Sequence, residues 1–281
     1  MTGALPFRKM HGLGNDFVVI DARKNPVALA PGMIARLGDR RCGVGFDQLV
    51  VLEPPQHQSA AVFMRIFNPD GSEAGACGNA TRCVASLLLG DKSDLSAIRI
   101  QTHAGLLEAF RDVSMGGVVV DMGAPSLDWQ SIPVSEAVDT LEVALSVGDL
   151  CRPSLVSMGN PHAVFFVSRL DDVPLAVLGP RIESYPLFPD RTNVEIVEVC
   201  SRDHLKMRVW ERGAGLTPAC GSGACAVLVA AVRRGLADRR ARVVCDGGEL
   251  TIEWRESDGH VLMGGPVASV YTGLLDEAFT R

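Results

Sequence analysis

Residues 64–78 read MRIFNPDGSEAGACG and residues 207–221 read MRVWERGAGLTPACG. Met64 and Met207, Arg65 and Arg208, Ala76 and Ala219, Cys77 and Cys220, and Gly78 and Gly221 are each 143 positions apart, with Asn68 facing Glu211 in the same frame. Two further pairs keep nearly the same offset: Asp47–Leu52 lies 145 positions before Thr192–Val197, and Val120–Pro125 lies 141 positions before Val261–Pro266. A spacing shared by several identities marks an internal repeat. It restricts the chain of 281 residues to two copies of one plan, in line with the soft expectation of two domains for this length.

Each copy delivers a cysteine and a glycine to the start of an apolar run. In the second copy the loop Glu211–Cys220 contains Gly213, Gly215 and Pro218, and the run Ala224–Val232 (ACAVLVAAV) follows. A cysteine at a helix start sits beside unpaired backbone N–H groups and the positive end of the helix dipole. Both favour the thiolate, so a lowered pKa and a role as base or nucleophile are expected. The competing reading of either cysteine alone is a small buried hydrophobe; the second copy argues against it. Two equivalent thiols are what a two-base reaction requires. Cys83 and Cys225 fall further inside their helices and read as core. Burial is also the expectation for Cys42, Cys151, Cys200 and Cys245.

Composition narrows the function. A net charge of −6 and a pI near 5.5 argue against nucleic acid or an anionic membrane as partner. The densest basic cluster, Arg233–Arg242, reads as the solvated end of a helix. No run approaches the ~18 apolar residues of a membrane span, and Met1–Gly12 has no apolar signal core. Eight cysteines without a signal segment point to free thiols in a reducing cytoplasm. There is no CxxC or HExxH, and the cysteine spacings do not suit zinc, so no metal is expected.

Along the chain, Phe7–Asp21 (FRKMHGLGNDFVVID) reads as a hairpin. Asn15 and Asp16 stand at the entrance to its second strand, where they serve either turn chemistry or a ligand. Asn160, 145 positions later, precedes Pro161, His162 and another apolar strand. Pro31–Arg41 reads as a helix with proline in its first turn. Gln48 opens a strand and matches Asn193, and paired amides would suit a polar ligand. The segment Arg41–Pro54 lacks the glycine pattern of a dinucleotide fingerprint, and no phosphate loop is present. Strand and turn signals then repeat over Ile98–Met122 and Ala241–Met263. A helix apolar on every side must be buried all round, so the expected fold is α+β, each half a barrel-like sheet wrapped around one central helix. Pro125–Pro133 reads as a linker.

The stretches HGLGNDFVVID, GFDQLVVL, NPDGSEAGACGN, GNPHAVFF, RTNVEIVEV, WERGAGLTPACGSGACA and VYTGLLDE together resemble the diaminopimelate epimerase family over essentially the whole length. The resemblance implies two pseudo-symmetric domains, residues 1–117 plus 263–281 and residues 118–262, with the active site in the cleft separating them. It implies cofactor-independent epimerisation of LL-2,6-diaminopimelate to the meso form, in lysine and peptidoglycan precursor synthesis. Cys77 would be the proton donor and Cys220 the acceptor in that direction, with His162 and Glu211 assisting. Asn15, Gln48, Asn68, Gly78, Asn79, Asn160, Asn193, Glu211, Arg212, Gly221 and Ser222 would bind the substrate, and Tyr271 would lie at a homodimer interface. Ala80 stands where the family usually has glycine.

The chemistry fits on its own terms. No pyridoxal-phosphate lysine signature stands out, so helix N-termini must stabilise the charge that develops on the substrate carboxylate. Gly78 and Gly221 permit close backbone approach, and Arg212 suits bidentate carboxylate pairing, although Glu211–Arg212 is also readable as a surface pair. A proline-racemase-like enzyme would share the two-thiol plan without the distal polar set. A thiol-redox protein, or an amino-acid-binding protein without turnover, would use the same residues differently.

Overall fold

The computed structural model describes residues 4–90 and 96–276; the last residue of the VYTGLLDE stretch, Glu277, lies outside them. The chain separates into two compact units, one ending at Val120 and resuming at Gly265, the other spanning Asp121–Gly264.

The repeat is visible in the strand order. In the first unit Leu5–Gly12 pairs antiparallel with Asn15–Asp21, which pairs parallel with Gln48–Glu53. That strand is antiparallel to Val62–Phe67, which is parallel to Ala97–Thr102, itself antiparallel to Gly105–Asp112. The second unit runs through the same alternation with Ser154–Ser157, Pro161–Val167, Asn193–Ser201, His204–Glu211, Arg240–Cys245 and Gly248–Trp254. Register is kept too: Phe17 stands opposite Gln48 as His162 stands opposite Asn193. Parallel neighbours need a long crossover, and each of the four carries a helix: α1 (Pro31–Gly38), α2 (Gly78–Gly90), α3 (Leu175–Glu183) and α4 (Gly221–Arg233).

The helices that start at the thiols are the inner ones. From Ala224 to Ala231 α4 has no accessible surface, and it packs on strands from both ends of its sheet. Its small side chains let the sheet curl closely around it. Helix α2 does the same in the first unit and carries Arg82, fully buried, among its apolar residues. Helices α1 and α3 cover other faces. Leu175, Leu178 and Ile182 of α3 join a core with Leu155, Phe165 and Ile196, and Met33, Ile34 and Leu37 of α1 pack with Val18, Leu49 and Val51.

Several local expectations change. Pro125–Pro133 is no linker: Ser126 bridges Ser157, Ile132 is fully buried and Trp129 packs on the second unit's core. Its Leu127, Trp129 and Ile132 supply apolar surface that a linker would not bury. Helix α1 ends at Gly38 rather than Arg41, with the Asp39 carboxylate accepting the next backbone N–H groups. Cys42, Cys151 and Cys200 are exposed, and only Cys245 of that set is buried; their neighbours are turns and strand ends, which leave a small side chain in solvent. Arg233–Arg242 is not one solvated helix end. Its first guanidinium donates to Thr140 and Leu155 carbonyls, and Arg240–Cys245 is a strand. Among the described residues no helix is long and apolar enough to cross a membrane.

Candidate active site

In the first unit, Cys77 is half-buried immediately before α2, and its carbonyl accepts the first helical N–H, from Thr81, at 2.9 Å. Its Sγ lies 3.9 Å from Asn15 Oδ1. The same oxygen accepts from Asn79 Nδ2 at 3.2 Å, and Asn79 Oδ1 accepts from Arg82 at 2.8 Å. Asn15 therefore links the hairpin turn to the thiol and the buried guanidinium, while its own amide donates to Asp47 at 3.0 Å. Leu13 and Gly14 take φ of 57° and 83° to make that turn. Gln48 donates to Asn68 Oδ1 at 3.2 Å, and Asn68 donates to Ser72 at 3.0 Å. Asn15, Gly78 and Asn79 thus gather around the start of one helix, while Gln48 and Asn68 form a separate hydrogen-bonded pair. Behind them Asp16 is held by Lys9 and Arg40. Burial opposes its ionisation, but hydrogen bonds and charge from Arg40 and Lys9 bring its pKa down to about 2.

In the second unit, Cys220 is the N-cap of α4: Gly223 N–H donates to its Sγ at 3.4 Å, and Ser222 Oγ is 3.5 Å away. Asn160 Nδ2 donates to Ser222 Oγ at 3.3 Å, His162 Nε2 lies 3.0 Å from Asn160 Oδ1, and His162 Nδ1 lies 2.7 Å from Glu195 Oε1. Glu211 accepts from Thr217. Asn193 is buried with its amide committed to backbone, donating to Pro161 O at 2.9 Å and accepting from Arg212 N at 2.9 Å. It shapes the Arg212 turn, while the exposed Arg212 guanidinium donates to Asp190 O at 3.1 Å.

One electrostatic expectation is overturned. The Cys220 thiol lies well above the ordinary thiol pKa, not below it. Burial is the main cause, the carboxylates of Glu211 and Glu195 add to it, and the hydrogen bonds from Ser222 and Gly223 only partly offset them. A helix start favours a thiolate by a modest amount, whereas burying an anion beside other carboxylates costs more. Glu211 is also pushed up, by burial first, against hydrogen bonds from Thr217 and Cys220. The resting site therefore holds a protonated thiol beside two carboxylates that disfavour its ionisation. Cys83, inside α2, is pushed up to about 12 by burial and stays inert.

Glu195 and Thr217 are the members that sequence reasoning missed. A charged residue inside the apolar run NVEIV was the available signal for Glu195, since a buried charge demands a partner. Tyr271 is exposed on the strand Ala268–Leu275, with its ring edge-on to Phe7 at 6.0 Å.

Solved structures with a similar fold define the fold class. A hydroxyproline epimerase from Agrobacterium vitis has a TM-score of 0.68 at 15% identity, covering 97% of this chain and 92% of that one. A phenazine biosynthesis protein of the PhzF family from Bacillus anthracis has 0.66 at 18% identity, covering 97% and 99%. At that identity the likeness concerns the fold alone. The family model described as diaminopimelate epimerase matches residues 7–127 and 154–269, and the chain belongs to that family. The diaminopimelate epimerase of Rhodospirillum centenum is 57% identical over 96% of this chain and 92% of its own length. That of Acidiphilium cryptum is 54% identical over 99% of each.

Proposed function

We propose that this chain is an isomerase that interconverts LL- and meso-2,6-diaminopimelate without a cofactor, using Cys220 to take the α-proton from one face of the carbon and Cys77 to return a proton to the other. The observation that carries this reading is the duplicated cysteine at the N-terminus of a buried helix, one per repeat, in a chain of this family. An α-carbon beside a carboxylate loses its proton only if the developing negative charge is stabilised. The first-turn N–H groups of α2 and α4, with Gly78 and Gly221 leaving room, supply fixed donors for that charge. Asn79 and Ser222 add side-chain donors next to them.

The raised pKa of Cys220 gives its thiolate more basic strength once formed. Glu211, within reach of Cys220, and His162, linked to it through Asn160 and Ser222, are placed to manage that proton. Asn15, Gln48, Asn68, Asn160 and Arg212 are assigned to the substrate's polar groups, with Asn193 holding the Arg212 turn. The exposed Val270, Tyr271 and Leu274 fit a homodimer contact, and the lysine and peptidoglycan role fits a cytoplasmic enzyme.

The test is inversion of LL-diaminopimelate in heavy water under reducing conditions. Wild type should epimerise it and incorporate deuterium at the α-carbon, and C77A and C220A should each abolish inversion. Turnover of proline in place of diaminopimelate, or full activity in either variant, overturns the reading.

A further inference from the structure

The repeat supplies its own control for one buried pair. His162 and Glu195 are both fully buried on adjacent parallel strands. At the matching positions, 145 residues earlier, the first unit has Phe17 and Val50, also fully buried on adjacent parallel strands. The same strand pairing is therefore built once with two apolar side chains and once with an imidazole and a carboxylate. Burying an ionisable pair gives little or no stability over a well-packed apolar pair, so the fold does not require it. The Glu195 side chain is also imperfectly satisfied: Oε1 meets His162, while Oε2 is buried with no hydrogen-bond partner.

We propose that Glu195 is a positioning residue for the thiol chemistry, fixing the protonated form and orientation of His162 so that the chain His162–Asn160–Ser222 meets Cys220 in one hydrogen-bonding sense. This rests on the epimerase reading above. The carboxylate accepts from Nδ1–H and Asn160 Oδ1 accepts from Nε2–H, so the ring held in this way carries both hydrogens as an imidazolium, and the Asn160 amide N–H donates to Ser222 Oγ, 3.5 Å from the sulfur. A buried carboxylate that orients a histidine through Nδ1 is an effective device in acid–base sites. The ionisable groups facing Glu195 are His162 from its parallel neighbour, Glu211 from the antiparallel strand, and Cys220 at the start of α4. Its negative charge adds to the elevation of the Cys220 thiol. Gly223 makes the approach possible, because a Cβ there would stand 2.7 Å from Glu195 Oε1 and 3.3 Å from Cys220 Sγ.

The test compares Glu195→Gln with wild type on LL-diaminopimelate, beside a ¹⁵N spectrum of the His162 ring in both proteins. The variant should lose at least about tenfold in kcat with KM little changed, and the limb of its pH profile set by Cys220 should move to lower pH. In wild type the ring should show a protonated Nδ1. Wild-type kcat and pH profile in the variant, or a bare Nδ1 in the wild-type ring, overturns the proposal. The spectrum needs no substrate and decides the matter even if the variant does not fold. Wild-type failure to invert diaminopimelate would instead sink the underlying activity.

Discussion

The Sγ of Cys220 accepts the backbone N–H of Gly223 at 3.4 Å, so the sulfur caps the helix that it begins. The thiol position is thereby tied to the path of the chain three residues later. The space that permits this is the missing side chain of Gly223 itself.

Gly223→Ala should be far more damaging than a glycine-to-alanine change in a helix normally is. The added methyl would meet Glu195 Oε1 at 2.7 Å and Cys220 Cβ at 3.2 Å. Overpacking of this kind costs about 1–3 kcal/mol, and moving the sulfur should reduce kcat on the order of 100-fold. Thermal unfolding and steady-state kinetics measure the two effects; an unchanged kcat would mean that the helix start is free to shift.

Glu211→Gln should lower the thiol pKa of Cys220, because it removes a negative charge that disfavours the thiolate. Alkylation of Cys220 followed by mass spectrometry should reach half its maximal rate above pH 9 in wild type and at lower pH in the variant. The rate at fixed pH on the rising limb should gain roughly tenfold per unit of pKa change. The exposed Cys42, Cys151 and Cys200 serve as internal references. The same midpoint in both proteins would remove Glu211 from the electrostatics of the thiol.

Asp16 should make a visible contribution to acid sensitivity. Its pKa of about 2 lies below the 3.8 of an unperturbed carboxyl, so the folded state binds this proton less readily than the unfolded one. The stabilisation is fully present above the unfolded pKa and is lost as pH falls through the folded value, a window of roughly pH 4 to 2, and amounts to at most about 2 kcal/mol. Urea unfolding of wild type and Asp16→Asn at pH 6 and pH 2.5 measures it. The variant should be weaker at pH 6 and lose less on acidification; an equally steep loss would assign the acid sensitivity elsewhere.

The 143-residue spacing, the cysteine-glycine helix starts and the all-apolar run of α4 were enough to read two copies of one unit, each with a helix inside a sheet. These features are local or periodic, and backbone hydrogen bonding and burial translate them directly into elements. The residues at each helix start were legible for the same reason, since Asn15, Asn79, Asn160 and Ser222 lie close in sequence to turns or to the thiols. What escaped was set by partners distant along the chain. Pro125–Pro133 has the prolines of a linker but packs its Trp129 and Ile132 on a core made elsewhere. Nothing near Cys220 in the chain announces Glu195, which arrives from another strand together with His162. The direction of the Cys220 pKa turns on that meeting: a helix end exerts its field wherever the helix forms, whereas desolvation and neighbouring carboxylates exist only once the strands have closed around the sulfur.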